Sequence, residues 1–166
     1  MSRTSTLPQL FALDSLLDAD EIAIRDSVRD FAASKLRPHI ADWFEEGGIP
    51  IARDLFKQFG QLGVLGMHLD GYGCGGASSV HYGLASLELE ACDSGIRSMV
   101  SVQGSLAMSA IAKHGSEEQK QKWLPDLVAG NALAGFGLTE PDAGSDASGT
   151  RTKASLENGE WVVNGA

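Results

Sequence analysis

The chain has 166 residues, of which 43% are hydrophobic and 21% charged, and its net charge is −9. That size and mixture suit one globular core with room for a small second one. The acidic balance excludes a nucleic-acid surface of clustered cations, and no apolar run reaches the length of a membrane span.

The two cysteines, Cys74 and Cys92, form no CxxC pair, and the four histidines are dispersed. No metal-ligand spacing results, and none is expected to matter. Charges at Arg3, Asp14, Asp18, Asp20, Glu21 and Arg25 rule out a secretory signal near the start. We read a cytoplasmic protein with reduced thiols and with residues 1–13 as a disordered or extended leader.

Asp18 to Glu21 has the Asp-x-x-Glu form of a helix start. Ile24, Val28, Phe31 and Ala32 follow at helical spacing and predict one apolar stripe. This helix should run to about Lys35 and stop before Pro38. Pro38 then opens a short helix bearing Ile40, Trp43 and Phe44, which Gly47, Gly48 and Pro50 end. A third helix starts near Ile51 with Leu55, Phe56, Phe59 and Leu62 on one face.

Gly71-Tyr-Gly-Cys-Gly-Gly76 is a glycine-rich loop without the Lys-Ser/Thr ending of a phosphate loop. A flexible connector or a close helix approach serves equally. Ser78 or Ser79 caps a helix through Val80, Leu84, Leu87 and Ala91. Glu88, Glu90 and Asp93 near its end oppose the helix dipole, which points to a use other than helix stability. Residues 94–113 form the most apolar helix and should be central. Ser116-Glu-Glu-Gln119 is a capping box opening a helix with Lys120, Lys122, Trp123 and Leu127. Pro125 should kink or shorten it, and Gly130 should end it.

The periodicity then changes. Residues 132–138 and 151–156 read as strands, Glu157-Asn-Gly159 as a turn, and residues 160–164 as another strand. Helices first and strands second give an α+β class with segregated layers. An all-α bundle over 14–130 precedes an antiparallel β-domain beginning at 131–166. Asn164-Gly165 is a strong hairpin signal with no returning strand, so the chain is expected to be a piece of a longer protein.

Between these strands lies Phe136-Gly-Leu-Thr-Glu-Pro-Asp-Ala-Gly-Ser-Asp146. Pro141 pushes Thr139-Glu140 towards extended geometry. Gly144 permits a positive φ or a close backbone approach. Ser145 and nearby amides suit an anion. An ordinary polar surface loop would have similar composition.

This eleven-residue stretch resembles the flavin-binding signature of the acyl-CoA dehydrogenase family. The glycine-rich loop at 71–76, the segment from Glu90 to Gln103 and Ser116-Glu-Glu-Gln119 resemble it too. The chain is most similar to glutaryl-CoA dehydrogenases, through Glu90-x-x-Asp-Ser-Gly-x-Arg97-Ser-x-x-Ser101-Val-Gln. The resemblance implies a truncated acyl-CoA dehydrogenase fold that binds FAD. It also implies electron-transfer flavoprotein as partner and a homotetramer at full length. The reaction implied is α,β-dehydrogenation of an acyl-CoA, here glutaryl-CoA to crotonyl-CoA with decarboxylation.

By position in the motif, Phe136, Leu138 and Thr139 resemble residues lining the flavin ring. Gly144 and Ser145 resemble the turn near its pyrophosphate and the CoA moiety. A hydroxyl bonded within its own loop is the other reading of Thr139. The family's catalytic glutamate has no counterpart in these residues, so they alone are not expected to turn over substrate. Arg97 needs an anionic partner, because guanidinium stays charged when buried. Glu90 or Asp93 could supply one internally. The resemblance at Glu90, Arg97, Ser98 and Ser101 instead implies a clamp on the distal carboxylate of the substrate. A dehydrogenase for short unbranched acyl-CoA and a non-catalytic helical interaction module are the alternatives.

Overall fold

The computed structural model describes residues 12–166. Most of the expected leader lies outside these residues. The chain divides into two compact units, one ending at Gly135 and one beginning at Phe136.

In the first unit, a 3₁₀ turn at Leu13–Leu16 leads to α1, Ala19–Phe31. Asp18 caps α1 through a full capping box with Glu21, which satisfies two orphan amides reciprocally. Val28 and Ala32 are buried, and Ile24 and Phe31 pack beside them. The rod does not break before Pro38. It widens into a π turn at Ala32–Leu36, tightens into a 3₁₀ turn at Arg37–His39, and continues as α2, Ile40–Glu45. Pro38 sits in the first turn, where a missing N–H removes no helical bond. Ile40 and Trp43 meet the core, while Phe44 stays exposed.

The third helix, α3 at Ala52–Leu62, buries Leu55, Phe56 and Phe59 and ends on Gly63 in the left-handed region at φ 80°. Phe59 holds the centre. Its ring lies 5.8 Å from Phe31 and 6.0 Å from Phe56, tilted and edge-on. Burying such a side chain is worth about 1.5–3 kcal/mol.

Ser78 caps α4, Ser79–Glu90, with His81 closing the box. The expected stripe of Val80, Leu84, Leu87 and Ala91 is not the buried face. Val80 and Leu87 are exposed, and Ala85, Glu88 and Leu89 turn inward against α1. Glu88 explains the rotation. Its carboxylate takes a two-bond fork from Arg29, at 3.0 Å from Nε and 2.7 Å from Nη2. Such a bidentate pair fixes the facing surfaces, and small Ala85 allows close approach.

Asp93 caps α5, Ser94–Ser101, by accepting from the Ile96 amide at 2.9 Å. The rod runs on through a π stretch at Val102–Met108 into α6, Ser109–His114. Ile96 and Val100 join the main core, and Met108 joins a second cluster with Leu124 and Leu127. The Ser116–Gln119 capping box opens α7, Glu117–Val128. Pro125 does not shorten this helix. Its carbonyl still receives the Ala129 amide at 3.1 Å, and buried Leu124 and Leu127 hold the last turn on the core. Gly130 ends it at φ 72°.

The second unit holds β1, Lys153–Glu157, and β2, Glu160–Asn164, paired antiparallel with Glu157 opposite Glu160. Asn158 at φ 51° and Gly159 at φ 86° make the expected turn. Residues 132–138 do not form the expected strand: Ala132 lies in a bend, and residues 133–138 join no ladder among the described residues. Helices followed by a short antiparallel sheet confirm the α+β class. Among the described residues, no helix is long and apolar enough to cross a membrane.

Candidate functional site

The first group of site residues stands where α4 passes into α5. Arg97 Nε donates to Glu90 Oε2 at 2.6 Å, and Arg97 Nη1 donates to Ser101 Oγ at 3.2 Å. Ser101 Oγ also donates to the Ser98 carbonyl at 3.1 Å, and Ser94 Oγ donates to Glu90 Oε1 at 2.8 Å. The Arg97 hydrogen bond, then that from Ser94, holds the Glu90 carboxyl below its ordinary range. Glu90, Arg97 and Ser101 are thus joined side chain to side chain. Ser98 enters through its backbone alone, leaving its hydroxyl without a partner among the described residues.

Asp93 is not the ion-pair partner, because its carboxylate caps α5. The three acids at the end of α4 therefore serve three separate purposes. Glu88 holds Arg29, Glu90 holds Arg97, and Asp93 caps the next helix. Arg97 keeps donors to spare. A guanidinium has five N–H groups, and two are used here, so the Nη edge retains three.

The second group lies in the second unit. Phe136 and Leu138 are about half exposed, and Thr139, Gly144 and Ser145 are exposed. Neither the Thr139 nor the Ser145 hydroxyl meets a partner among the described residues, so Thr139 is not a cap of its own loop. Glu140 and Ala143 exchange backbone hydrogen bonds of 3.1 Å each way, closing the turn at Pro141. Gly144 does not have a positive φ, and nothing lies within 4 Å of where its Cβ would stand. The fold itself makes no demand for glycine there.

Sequence reasoning missed Glu140. Its carboxylate accepts the backbone amides of Arg151 at 2.6 Å and Thr152 at 2.9 Å, tying the loop to the entry of β1. Those bonds hold its carboxyl below the usual range. A lone Glu in a loop carries no signal for such a stitch. It missed Gln103 as well, a fully buried polar residue in an apolar run. Both cysteines are free. Asp18, Glu21 and His81 bring possible ligand atoms within 4.8 Å of one another, but all three already serve the caps of α1 and α4.

A family model described as acyl-CoA dehydrogenase, N-terminal domain, matches residues 18–131. A Bacillus subtilis (strain 168) protein named "Probable acyl-CoA dehydrogenase YngJ" is 41% identical over 152 residues, covering 90% of this chain and 39% of that protein. The crystal structure of glutaryl-CoA dehydrogenase from Mycobacterium smegmatis aligns with a TM-score of 0.91 at 55% identity, over 95% of this chain and 41% of that one. A glutaryl-CoA dehydrogenase from the same organism in complex with FADH2 aligns with a TM-score of 0.90 at 56% identity, over 94% of this chain and 40% of that one. The chain thus spans about two fifths of the length of these relatives. The matched domain covers well over half of the 166 residues, and the chain belongs to the acyl-CoA dehydrogenase family.

Proposed function

We propose that, at the full length of its relatives, this protein is an FAD-dependent acyl-CoA dehydrogenase that oxidises glutaryl-CoA and releases carbon dioxide to give crotonyl-CoA. The observation that carries the substrate is Arg97. Its Nε is satisfied by Glu90, while its Nη edge keeps the donors needed to grip a second carboxylate in two bonds. The internal pair and the substrate clamp are therefore compatible. Glu90 keeps the guanidinium compensated while the site is empty, and Ser101 steadies its Nη1.

The loop residues fit a flavin. Phe136 and Leu138 offer exposed apolar cover, and the unpartnered Thr139 hydroxyl offers a hydrogen bond to a polar ring edge. Gly144, glycine without an internal reason, leaves bare backbone for a phosphate to approach, with Ser145 beside it. Bound FAD supplies the hydride acceptor for the β-carbon of the thioester. A hydrogen bond from Thr139 would favour the electron-rich reduced ring. Electron-transfer flavoprotein as acceptor and a homotetrameric assembly complete the proposal, on the strength of the family.

A second reading, oxidation of a short unbranched acyl-CoA, has one observation in its favour. Glu90 already neutralises Arg97, so a neutral acyl chain would strand no charge. Two measurements on the natural-length protein test the proposal. Purified protein should show a visible flavin band that yields FAD on denaturation, and turnover should favour glutaryl-CoA over butyryl-CoA. Protein that lacks flavin defeats the enzyme reading, and preference for butyryl-CoA defeats the substrate.

A further inference from the structure

The rod that carries Arg97, Ser98 and Ser101 passes straight into the π stretch Val102–Met108. π-helix is rare and concentrates at functional sites. Gln103 stands here, with no solvent exposure. Its Nε2 donates to the carbonyls of Leu127 at 2.8 Å and Ala132 at 3.2 Å, and its Oε1 accepts from the Ala134 amide at 3.2 Å. The carbonyl of one residue and the amide two residues on are the two groups that a parallel neighbouring strand would engage. One carboxamide replaces that strand. The backbone at 132–134 is therefore pinned without a ladder, two residues before Phe136.

We propose that Gln103 is a positioning residue, whose carboxamide sets the backbone from which the segment bearing Phe136, Leu138 and Thr139 departs. This rests on the flavin reading above. A leucine would fill the same space more cheaply, because a buried carboxamide must find all its partners. Gln103 meets that demand only by holding Leu127, Ala132 and Ala134 together. Removing it orphans the Ala132 carbonyl and the Ala134 amide at once, while the Leu127 carbonyl keeps the Gly130 amide at 3.2 Å.

The test compares Gln103→Leu with Leu124→Ala in the natural-length protein. Leu124→Ala cuts a fully buried side chain of α7 and leaves the carboxamide intact. Hydrogen exchange at the Ala134 amide and the dissociation rate of FAD are measured in both. Gln103→Leu should speed each by about tenfold, the weight of one lost hydrogen bond, and shift the visible flavin spectrum. Leu124→Ala should lower the melting temperature and leave the flavin spectrum as in wild type. If Gln103→Leu does not fold, Gln103→Glu replaces it, keeping an acceptor for Ala134 and losing the amide donors. Equal effects from the two sites, or FAD release at the wild-type rate from the Gln103 variant, overturn the positioning role while the flavin reading stands. A wild-type protein that binds no flavin defeats that reading and the positioning role with it.

Discussion

Arg97 and Glu90 are joined by an ion pair of 2.6 Å, Nε to Oε2, between the last residue of α4 and the middle of α5. The hydrogen bond from Arg97, and a second from Ser94, depress the Glu90 pKa. A carboxyl whose folded pKa is depressed adds stability above its unfolded pKa and loses it as pH falls through the folded value. The pair should therefore persist throughout neutral pH and open only in acid, below the ordinary carboxylate range. In an NMR titration, Glu90 should titrate below a free glutamate, and Arg97→Met should move its midpoint upwards. A midpoint that ignores the substitution would show that the pair does not form in solution.

Gly144 separates a demand of the fold from a demand of a ligand. No atom lies within 4 Å of its missing Cβ, and its φ is not left-handed. Gly144→Ala should hold or raise stability, by about 0.4–1 kcal/mol through the unfolded chain. If a phosphate presses on that backbone, the methyl group should weaken FAD binding by about 1–3 kcal/mol, the usual size of overpacking. Calorimetry of FAD binding to the natural-length apoprotein decides the matter, and unchanged affinity removes Gly144 from the site.

Gly130 is the opposite case. Its φ is +72°, and a Cβ there would fall 2.1 Å from the Phe56 carbonyl oxygen. Gly130→Ala adds left-handed strain of about 1–2 kcal/mol and displaces the α3 backbone for about 1–3 kcal/mol more. Gly47, at φ +70° with nothing within 4 Å, carries the strain alone. Urea unfolding should therefore show a larger loss for Gly130→Ala than for Gly47→Ala. Equal losses would mean that α3 yields freely at Phe56.

The helix starts were legible because their signals are local. Asp18-x-x-Glu21 and Ser116-x-x-Gln119 each hold the capping residue and its reciprocal partner within one turn. The turn at Asn158-Gly159 was legible for the same reason. The buried face of α4 was not, since Glu88 reads as a surface residue until Arg29, fifty-nine positions earlier, is known to face it. Residues 132–138 read as a strand because their composition is right, but pairing depends on distant partners, and a glutamine side chain takes that place at Ala132 and Ala134. Both π turns were invisible, since no residue pattern announces an inserted residue. At the candidate site the choice of Arg97, Ser101 and Glu90 came from the family resemblance. Which acid held Arg97 could be settled only by the geometry.

Substrate choice turns on Arg97. If its Nη edge grips a distal carboxylate, Arg97→Met removes a charge-assisted contact worth about 2–5 kcal/mol, or roughly thirtyfold to several-thousandfold in affinity. Efficiency with glutaryl-CoA should fall by that order, while efficiency with butyryl-CoA holds. Glu90 is left with the Ser94 hydroxyl and water, so the fold should survive. A ratio of efficiencies unmoved by the substitution rules out the clamp.

The most direct test of the proposed activity is anaerobic addition of glutaryl-CoA to the purified natural-length protein, followed at the visible flavin band. The band should bleach within the time of a single turnover, with crotonyl-CoA and carbon dioxide appearing once an electron acceptor is added. Protein without a flavin band, or a band that stays oxidised with glutaryl-CoA and butyryl-CoA alike, would contradict an acyl-CoA dehydrogenase built on these residues.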